Sequence, residues 1–317
     1  MGNKDVLKGV ILVGLGASIY GMLATVVKLA YQAGFSTAEV TTSQFTIGLL
    51  GLMILNVIQT KTSKKELAKP QKQDILKLVL VGTTYGLTSL FYYLSVQFIN
   101  VSIAIVLLMQ SVWIGVVVES ILNKTLPSLR KIIATIFILI GTLLATNAIQ
   151  SEVNLDWRGL LFGMLAAFSF STTMFASNRI ANHLPALRKS FLMLCGGAVI
   201  VYTFLIFTQL GPYYFQLFEG HSMVTARAFD GSIFWKYGLF LAVFGTILPP
   251  ILLNMGFPKT GLGLGSIVSS FELPISVLMA YVLLNEQVLG IQWMGILLIL
   301  MAIVYMNLNA ISFKKIN

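Results

Sequence analysis

The sequence has little charge and very little cysteine or histidine for its length. Charged residues make up 10% of its 317 residues, against roughly 25% in soluble domains. This scarcity of charge excludes water as the only solvent of the chain. The single cysteine, Cys195, excludes an intrachain disulfide, and nothing in the sequence resembles thiolate ligation of a metal. We therefore expect neither a metal nor a cofactor.

Apolar residues take the place of the missing charge. Hydrophobic residues make up 57% of the chain and the mean hydropathy is +0.87. Apolar runs of about 20 residues recur along its whole length, and each is long enough to cross the hydrocarbon of a bilayer. Runs of this length without alternation predict helices rather than barrel strands, because backbone polar groups in lipid must be bonded internally. The predicted fold class is an all-α polytopic membrane protein.

Charge clusters and Gly or Pro breaks divide the apolar runs into ten predicted transmembrane helices. The first follows a basic start without a convincing cleavage site, which favours a retained helix over a signal peptide. Each boundary is uncertain by about three residues. The predicted spans are 8–31, 38–59, 75–97, 101–122, 129–147, 157–178, 188–209, 233–255, 261–284 and 289–309.

The distribution of basic residues predicts the orientation. The net charge of +10 comes from residues in the breaks between apolar runs, without interleaved aromatics, which favours membrane topology over nucleic-acid binding. Of the Lys and Arg residues, only Arg158, Arg227 and Lys236 fall on the side opposite the N-terminus. The positive-inside rule therefore places both termini in the cytoplasm, and we expect a multi-pass protein of the inner membrane. The longest outer connection, 210–232, is predicted as a lid or a passive loop.

The two halves of the chain resemble each other. An offset of about 162 residues aligns Gln110 with Glu272 and Lys124 with Glu286, and an offset near 150 aligns Tyr20 with Phe170. Since each half holds an odd number of helices, the second half must be inverted, and the paired loop charges do change sign. Such inverted repeats are typical of transporters. The predicted five-helix repeats are 1–155 and 156–317.

A family resemblance rests on the end of the second repeat. The stretch Phe271-Glu272-Leu273-Pro274, the apolar helix after it, Leu284-Asn285-Glu286 and the last helix with Gly295 resemble the end of an EamA domain of the drug/metabolite transporter (DMT) superfamily. Two such domains would cover the chain. The resemblance implies a central cavity lined by helices 1, 3, 4, 6, 8 and 9, with export of amino acids or related metabolites. The first half departs from the pattern at Val112 and Lys124, where proline and glutamate are usual.

Ionisable groups at membrane depth are costly, and they are functional candidates for that reason. Glu272 is near the middle of the ninth predicted helix, and Ser269 and Ser276 at helical spacing give it a small, polar face. We expect it to bind substrate or a coupling proton. The alternative is a structural carboxyl beside a kink at Pro274. For Lys28 and Glu119, functional and structural interpretations both stay open.

Polar stripes on other helices extend this candidate site. Helix 3 carries Tyr85 and Tyr92 on one face, and helix 8 carries Asn254. The pair Pro249-Pro250 removes two backbone donors and predicts a break in helix 8. The candidate substrate-binding or coupling residues are Glu272, Gln110, Tyr85, Tyr92, Trp113, Asn254, Lys28 and Ser269, and the candidate hinges are Pro249, Pro250 and Pro274.

These features favour a secondary carrier that exports small polar metabolites such as amino acids by alternating access, as a monomer or homodimer and with possible proton coupling. The alternatives are a channel, a receptor or an intramembrane enzyme. An enzyme is not expected, because no clustered nucleophile, base or metal ligands occur. The sequence does not predict the substrate, the direction of transport or the coupling ion.

Overall fold

The computed structural model describes residues 3–63, 67–99, 101–145, 156–215, 224–225, 227–284 and 288–311. Helices dominate these residues, and they contain no strand. The all-α prediction is confirmed to that extent. The α-helices are α1 (Asn3–Gly21), α2 (Leu23–Gln32), α3 (Thr37–Thr62), α4 (Lys72–Phe98), α5 (Val101–Leu108), α6 (Ser111–Asn123), α7 (Leu129–Ala145), α8 (Trp157–Arg179), α9 (Ala186–Leu205), α10 (Gly211–Phe215), α11 (Leu239–Leu241), α12 (Leu248–Thr260), α13 (Leu262–Ser269), α14 (Glu272–Leu284) and α15 (Gly290–Ile311).

Eight helical segments among the described residues are long and apolar enough to cross a membrane. Short π-helical stretches join several of the α-helices into these longer rods. A further apolar helix among the described residues, Gly290–Met306, is shorter, and α7 has 17 residues. The spans are Lys4–Gln32, Thr37–Thr62, Lys72–Phe98, Ile103–Asn123, Trp157–Arg179, Ala186–Phe215, Phe234–Thr260 and Leu262–Leu283.

The outer surface of the bundle is apolar, as a bilayer requires. In α15, Met294, Leu297 and Met301 lie three or four residues apart and are each about half exposed or more, at 66%, 56% and 51%. The opposite face of the same helix buries Ile299 and Ala302 completely or nearly so. Lipid tails solvate the exposed row, so association of the helices depends on close packing rather than on removal of apolar surface from water.

Glycine makes the closest of these crossings possible. Where α4 crosses α9, Gly86 faces Gly197, and a methyl group added to Gly86 would lie 2.8 Å from the Gly197 Cα. That separation is shorter than any real contact between carbon atoms, so only glycine permits the two backbones to approach this closely. The crossing holds α4 in place, and α4 contributes more residues to the interior cavity than any other helix.

Three of the predicted continuous helices are interrupted. The predicted spans 8–31, 101–122 and 261–284 each divide into two α-helices, at Met22, at Met109-Gln110 and at Ser270-Phe271. At each break the backbone forms tighter bonds between residues three apart, such as Phe271 N to Val268 O at 3.1 Å. Pro274 has no N–H for the Ser270 carbonyl, which accepts from Leu273 N instead at 3.2 Å.

Candidate functional site

An interior cavity lies where the interrupted helices meet. About 620 Å³ of space outside the protein atoms lies within it, including space that is open to its surroundings. Residues beside each of the three helix breaks line it. The lining residues are Tyr20, Gly21, Leu23, Ala24, Gln44, Tyr85, Thr88, Ser89, Tyr92, Tyr93, Ile105, Leu108, Phe170, Glu272 and Ser276.

Glu272 contributes the carboxylate of this cavity. It is the first residue of α14, so the break before that helix brings its side chain to the cavity wall. Gly21 of α1 packs against the Glu272 backbone, and a side chain there would meet the Glu272 carbonyl and the Ser276 nitrogen. The Glu272 Oε2 atom is buried and has no hydrogen-bond partner among the described residues. A buried acceptor without a donor is costly, which singles out this oxygen as a place for a ligand or a proton.

Two tyrosines and the Gly245 carbonyl form a chain of hydrogen bonds beside the cavity. The Tyr20 hydroxyl donates to the Tyr85 hydroxyl at 3.1 Å, and the Tyr85 hydroxyl donates to the Gly245 carbonyl at 2.7 Å. That carbonyl is available because Pro249, four residues later, has no N–H to offer it. Pro249, one of the predicted hinge prolines, therefore leaves the Gly245 carbonyl free to accept the hydrogen bond that orients Tyr85.

A second set of side chains in the lining contributes another bonded hydroxyl and more aromatic rings. The Tyr93 hydroxyl donates to Gln44 Oε1 at 2.9 Å. Tyr92 packs beside Tyr93 with ring centroids 6.1 Å apart, and Tyr20 meets Phe170 edge to face at 6.2 Å. Aromatic faces and held hydroxyls therefore surround the space next to Glu272.

Three of the candidate residues line this cavity together: Glu272, Tyr85 and Tyr92. The other five do not. Trp113 Nε1 donates to Gln110 Oε1 at 2.9 Å, and Asn254 Nδ2 donates to Ser190 Oγ at 2.9 Å. Ser269 donates to the Gly265 carbonyl at 3.0 Å, and Lys28 is half-buried on α2.

Twelve of the fifteen lining residues were not among the predicted candidates, and they include Tyr20, Gln44, Tyr93 and Phe170. A signal for two of them was present, because the repeat alignment sets Tyr20 over Phe170. The resemblance implied a cavity lined by helices 1, 3, 4, 6, 8 and 9. In the structure Gln44 adds the second span to this lining. The span Phe234–Thr260, which contains α12, contributes no lining residue and supplies only the Gly245 carbonyl that accepts from Tyr85.

The candidate hinge prolines lie at changes in helical geometry. Pro249 and Pro250 occupy the first turn of α12, directly after the π-helical stretch Ala242–Ile247. Pro274 is buried in the first turn of α14. Prolines at such positions are typical of kinks in membrane helices.

A second buried carboxylate lies outside the cavity, at the start of α3. Glu39 is 0% exposed, and its oxygens accept hydrogen bonds from Gln209 Nε2 at 2.9 Å and from Arg227 Nη2 at 2.5 Å. The backbone nitrogens of Ser36 and Asp230 donate to it as well, at 2.8 and 2.9 Å. This Glu39 cluster joins the start of α3 to the segment around Arg227, far away in the chain.

Other charged groups within the spans have local partners. The Glu119 carboxylate pairs with Lys131 and lies against Gly263 at the start of α13. Lys189, 1% exposed, donates to the Ser177 carbonyl at 2.9 Å and to Asn182 Oδ1 at 2.8 Å. Among the described residues no group of three or more His, Cys, Asp or Glu side chains is placed to hold a metal.

Comparison with known proteins matches the chain to one family twice. The model of the EamA-like transporter family matches residues 7–147 and again residues 157–308. The uncharacterized inner membrane transporter YicL of Salmonella typhimurium (strain LT2) is 29% identical over 245 residues, which cover 75% of each chain. A solved crystal structure superposes with a TM-score of 0.74, over 98% of this chain and 99% of the other, at 15% identity. At that identity the likeness shows the fold alone.

Proposed function

The chain belongs to the EamA-like transporter family and is therefore a membrane transporter, and we propose that it is a secondary-active exporter of small polar metabolites. Transport would proceed by alternating access to the interior cavity. Amino acids and amines share an ammonium group, and the Glu272 carboxylate in the cavity is a suitable partner for that group. The YicL relative, named for the inner membrane, supports the same location for this protein.

One observation carries this proposal: Glu272 presents a carboxylate with an unpartnered oxygen to a cavity enclosed by membrane helices. A structural carboxyl would have donors around it, as Glu39 does. No described residue donates to this Glu272 oxygen, which leaves it able to accept a hydrogen bond from a ligand. A substrate ammonium or a proton supplies one, so the residue can act in substrate binding, in proton coupling or in both.

The relation between the halves supports alternating access through two inverted five-helix repeats, 1–155 and 156–317. The interrupted pairs match in length, since α5 and α13 have 8 residues each and α6 and α14 have 13 each. If each helix of one half is replaced by its counterpart in the other half, several of the extensive helix contacts correspond to one another. The contact of α4 with α8 corresponds to that of α1 with α12, and α7 with α15 corresponds to itself. Similar halves can exchange conformations and so exchange the open side.

The orientation proposed for this scheme has both termini in the cytoplasm. The Glu39 cluster would then lie at the outer side and the Glu119–Lys131 pair at the inner side. Pro249, Pro250 and Pro274 would serve as hinges, because the Gly245 and Ser270 carbonyls before them lie outside the regular helical pattern.

A transport assay tests the proposal. The purified protein is reconstituted in liposomes loaded with a mixture of amino acids, amines and other small polar metabolites, and efflux is followed with and without a proton gradient. We expect saturable loss of a subset of compounds, faster with the gradient, and no loss from liposomes without protein. Efflux of no compound in the mixture would contradict the proposed function.

A further inference from the structure

The charges that line the cavity have one sign. Glu272 is the ionisable carboxyl among the lining residues, and no lysine, arginine or histidine is among them. Lys189, buried near the start of α9, is held by Ser177 and Asn182, and Lys28, half-buried on α2, is outside the lining. A carboxylate in a nonaqueous site needs a positive partner to remain charged. The described residues that line this cavity provide none.

Most of the hydroxyl donors around Glu272 are already used within the protein. Tyr20 donates to Tyr85, Tyr85 to the Gly245 carbonyl and Tyr93 to Gln44. The Thr88 hydroxyl donates to the Thr84 carbonyl at 2.7 Å. The polar groups that remain in the lining, on Gln44, Ser89, Tyr92 and Ser276, are uncharged. A substrate carboxylate would therefore find no cationic partner here and would face the charge of Glu272.

The rest of the lining suits a cation with an apolar body. Tyrosine and phenylalanine rings from α1, α4 and α8 surround the cavity, and the face of an aromatic ring attracts a cation. Leu23, Ile105 and Leu108 complete an apolar wall. Such a wall favours burial of a hydrocarbon or aromatic substituent.

We infer that the substrate is a small organic cation, an amine or quaternary ammonium ion with an apolar body and no carboxylate, held by Glu272 within the aromatic wall. This inference rests on the proposed transport function and narrows its substrate class. It places the zwitterionic amino acids below the corresponding amines as substrates, because both carry the ammonium group but only the amino acids bring a second carboxylate to Glu272.

Uptake of a permanently charged probe tests the inference. Labelled benzyltrimethylammonium, which cannot cross lipid in an uncharged form, is added to proteoliposomes at one fixed pH on both sides. Phenethylamine and phenylalanine then compete; they share a ring and an ammonium group and differ by the carboxylate. We expect saturable uptake, loss of it in Glu272→Gln, and inhibition by phenethylamine at a concentration about tenfold or more below that for phenylalanine.

The outcomes separate the inference from the function on which it rests. Inhibition by phenylalanine at or below the phenethylamine concentration would overturn the cation assignment. Efflux of loaded metabolites without uptake of the ammonium probe would also overturn it, and would leave the transporter function standing. If neither the metabolites nor the probe move, both proposals fail.

Discussion

Two carboxylates are buried among the helices of this protein, and their surroundings differ. Glu39 accepts hydrogen bonds from two side chains and two backbone nitrogens, and Arg227 balances its charge. Glu272 has a buried oxygen with no partner in the described part of the chain, and it faces a cavity. Both acids bear the desolvation cost of burial. The first offsets that cost within the fold, whereas for the second we propose that a ligand or a proton offsets it.

The comparison indicates how to separate structural from functional charges in a membrane protein. The degree of burial alone does not separate them, since Glu39 is more completely buried than Glu272. The two classes are separated by whether the carboxylate oxygens have hydrogen-bond donors. Removing a satisfied carboxylate leaves its donors unpaired, so stability falls, whereas removing an unsatisfied one costs little stability and removes the group that binds.

The largest effect on stability is expected from Glu39→Gln. The amide is similar in shape but carries no charge, so Arg227 loses its buried partner and an NH₂ group meets donors. We expect a loss of about 3–5 kcal/mol. The measurement is the apparent unfolding temperature in detergent micelles, with Asp5→Asn, an exposed acid in the first turn of α1, as the control. An unchanged unfolding temperature would remove the structural assignment of Glu39.

A smaller effect is expected from Arg227→Ala. The Arg227 side chain is 44% exposed, so water replaces part of its interaction, and Glu39 keeps its three other donors. The expected loss is about 1–2 kcal/mol, and it should shrink at high salt because an exposed partner is screened. Thermal unfolding of both proteins at low and high salt measures this. A loss equal to that of Glu39→Gln would mean that the ion pair, rather than the hydrogen bonds, holds the cluster.

The smallest effect is expected from Glu272→Gln. No described donor bonds to the Glu272 Oε2 atom, so the amide disturbs no known partner, and the change should stay within about 1 kcal/mol. The same unfolding measurement applies, with Glu39→Gln as the contrasting variant. Destabilisation as large as that of Glu39→Gln would place both acids in the structural class.

Hydropathy predicted the helical fold because lipid imposes one backbone solution on every long apolar run. Glu272 was predicted because a charge in mid-span is conspicuous, and Tyr85 and Tyr92 because they share a helix face. The interruptions at Met22 and Met109-Gln110 were not predicted, since these tighter turns contain no proline, whereas Pro274 had indicated a kink next to the third interruption.

Partners distant in the chain were the other part that the sequence did not reveal. Glu39 and its donor Gln209 are 170 residues apart, and no local pattern indicates such a contact. Gln44 was missed because an amide within an apolar span is less conspicuous than a charge. Trp113 donates a hydrogen bond to Gln110, one helical turn away. From their spacing alone, this local pair could not be distinguished from two residues that share a binding face.

The transport rate of Glu272→Gln, per molecule of folded protein, tests the central claim most directly. The variant and the Asp5→Asn control protein are reconstituted at equal density, and initial rates are compared with the unaltered protein for a substrate identified in the metabolite assay. We expect transport by Glu272→Gln to fall to the level of empty liposomes, while Asp5→Asn transports normally. Normal transport by a correctly folded Glu272→Gln protein would contradict the account.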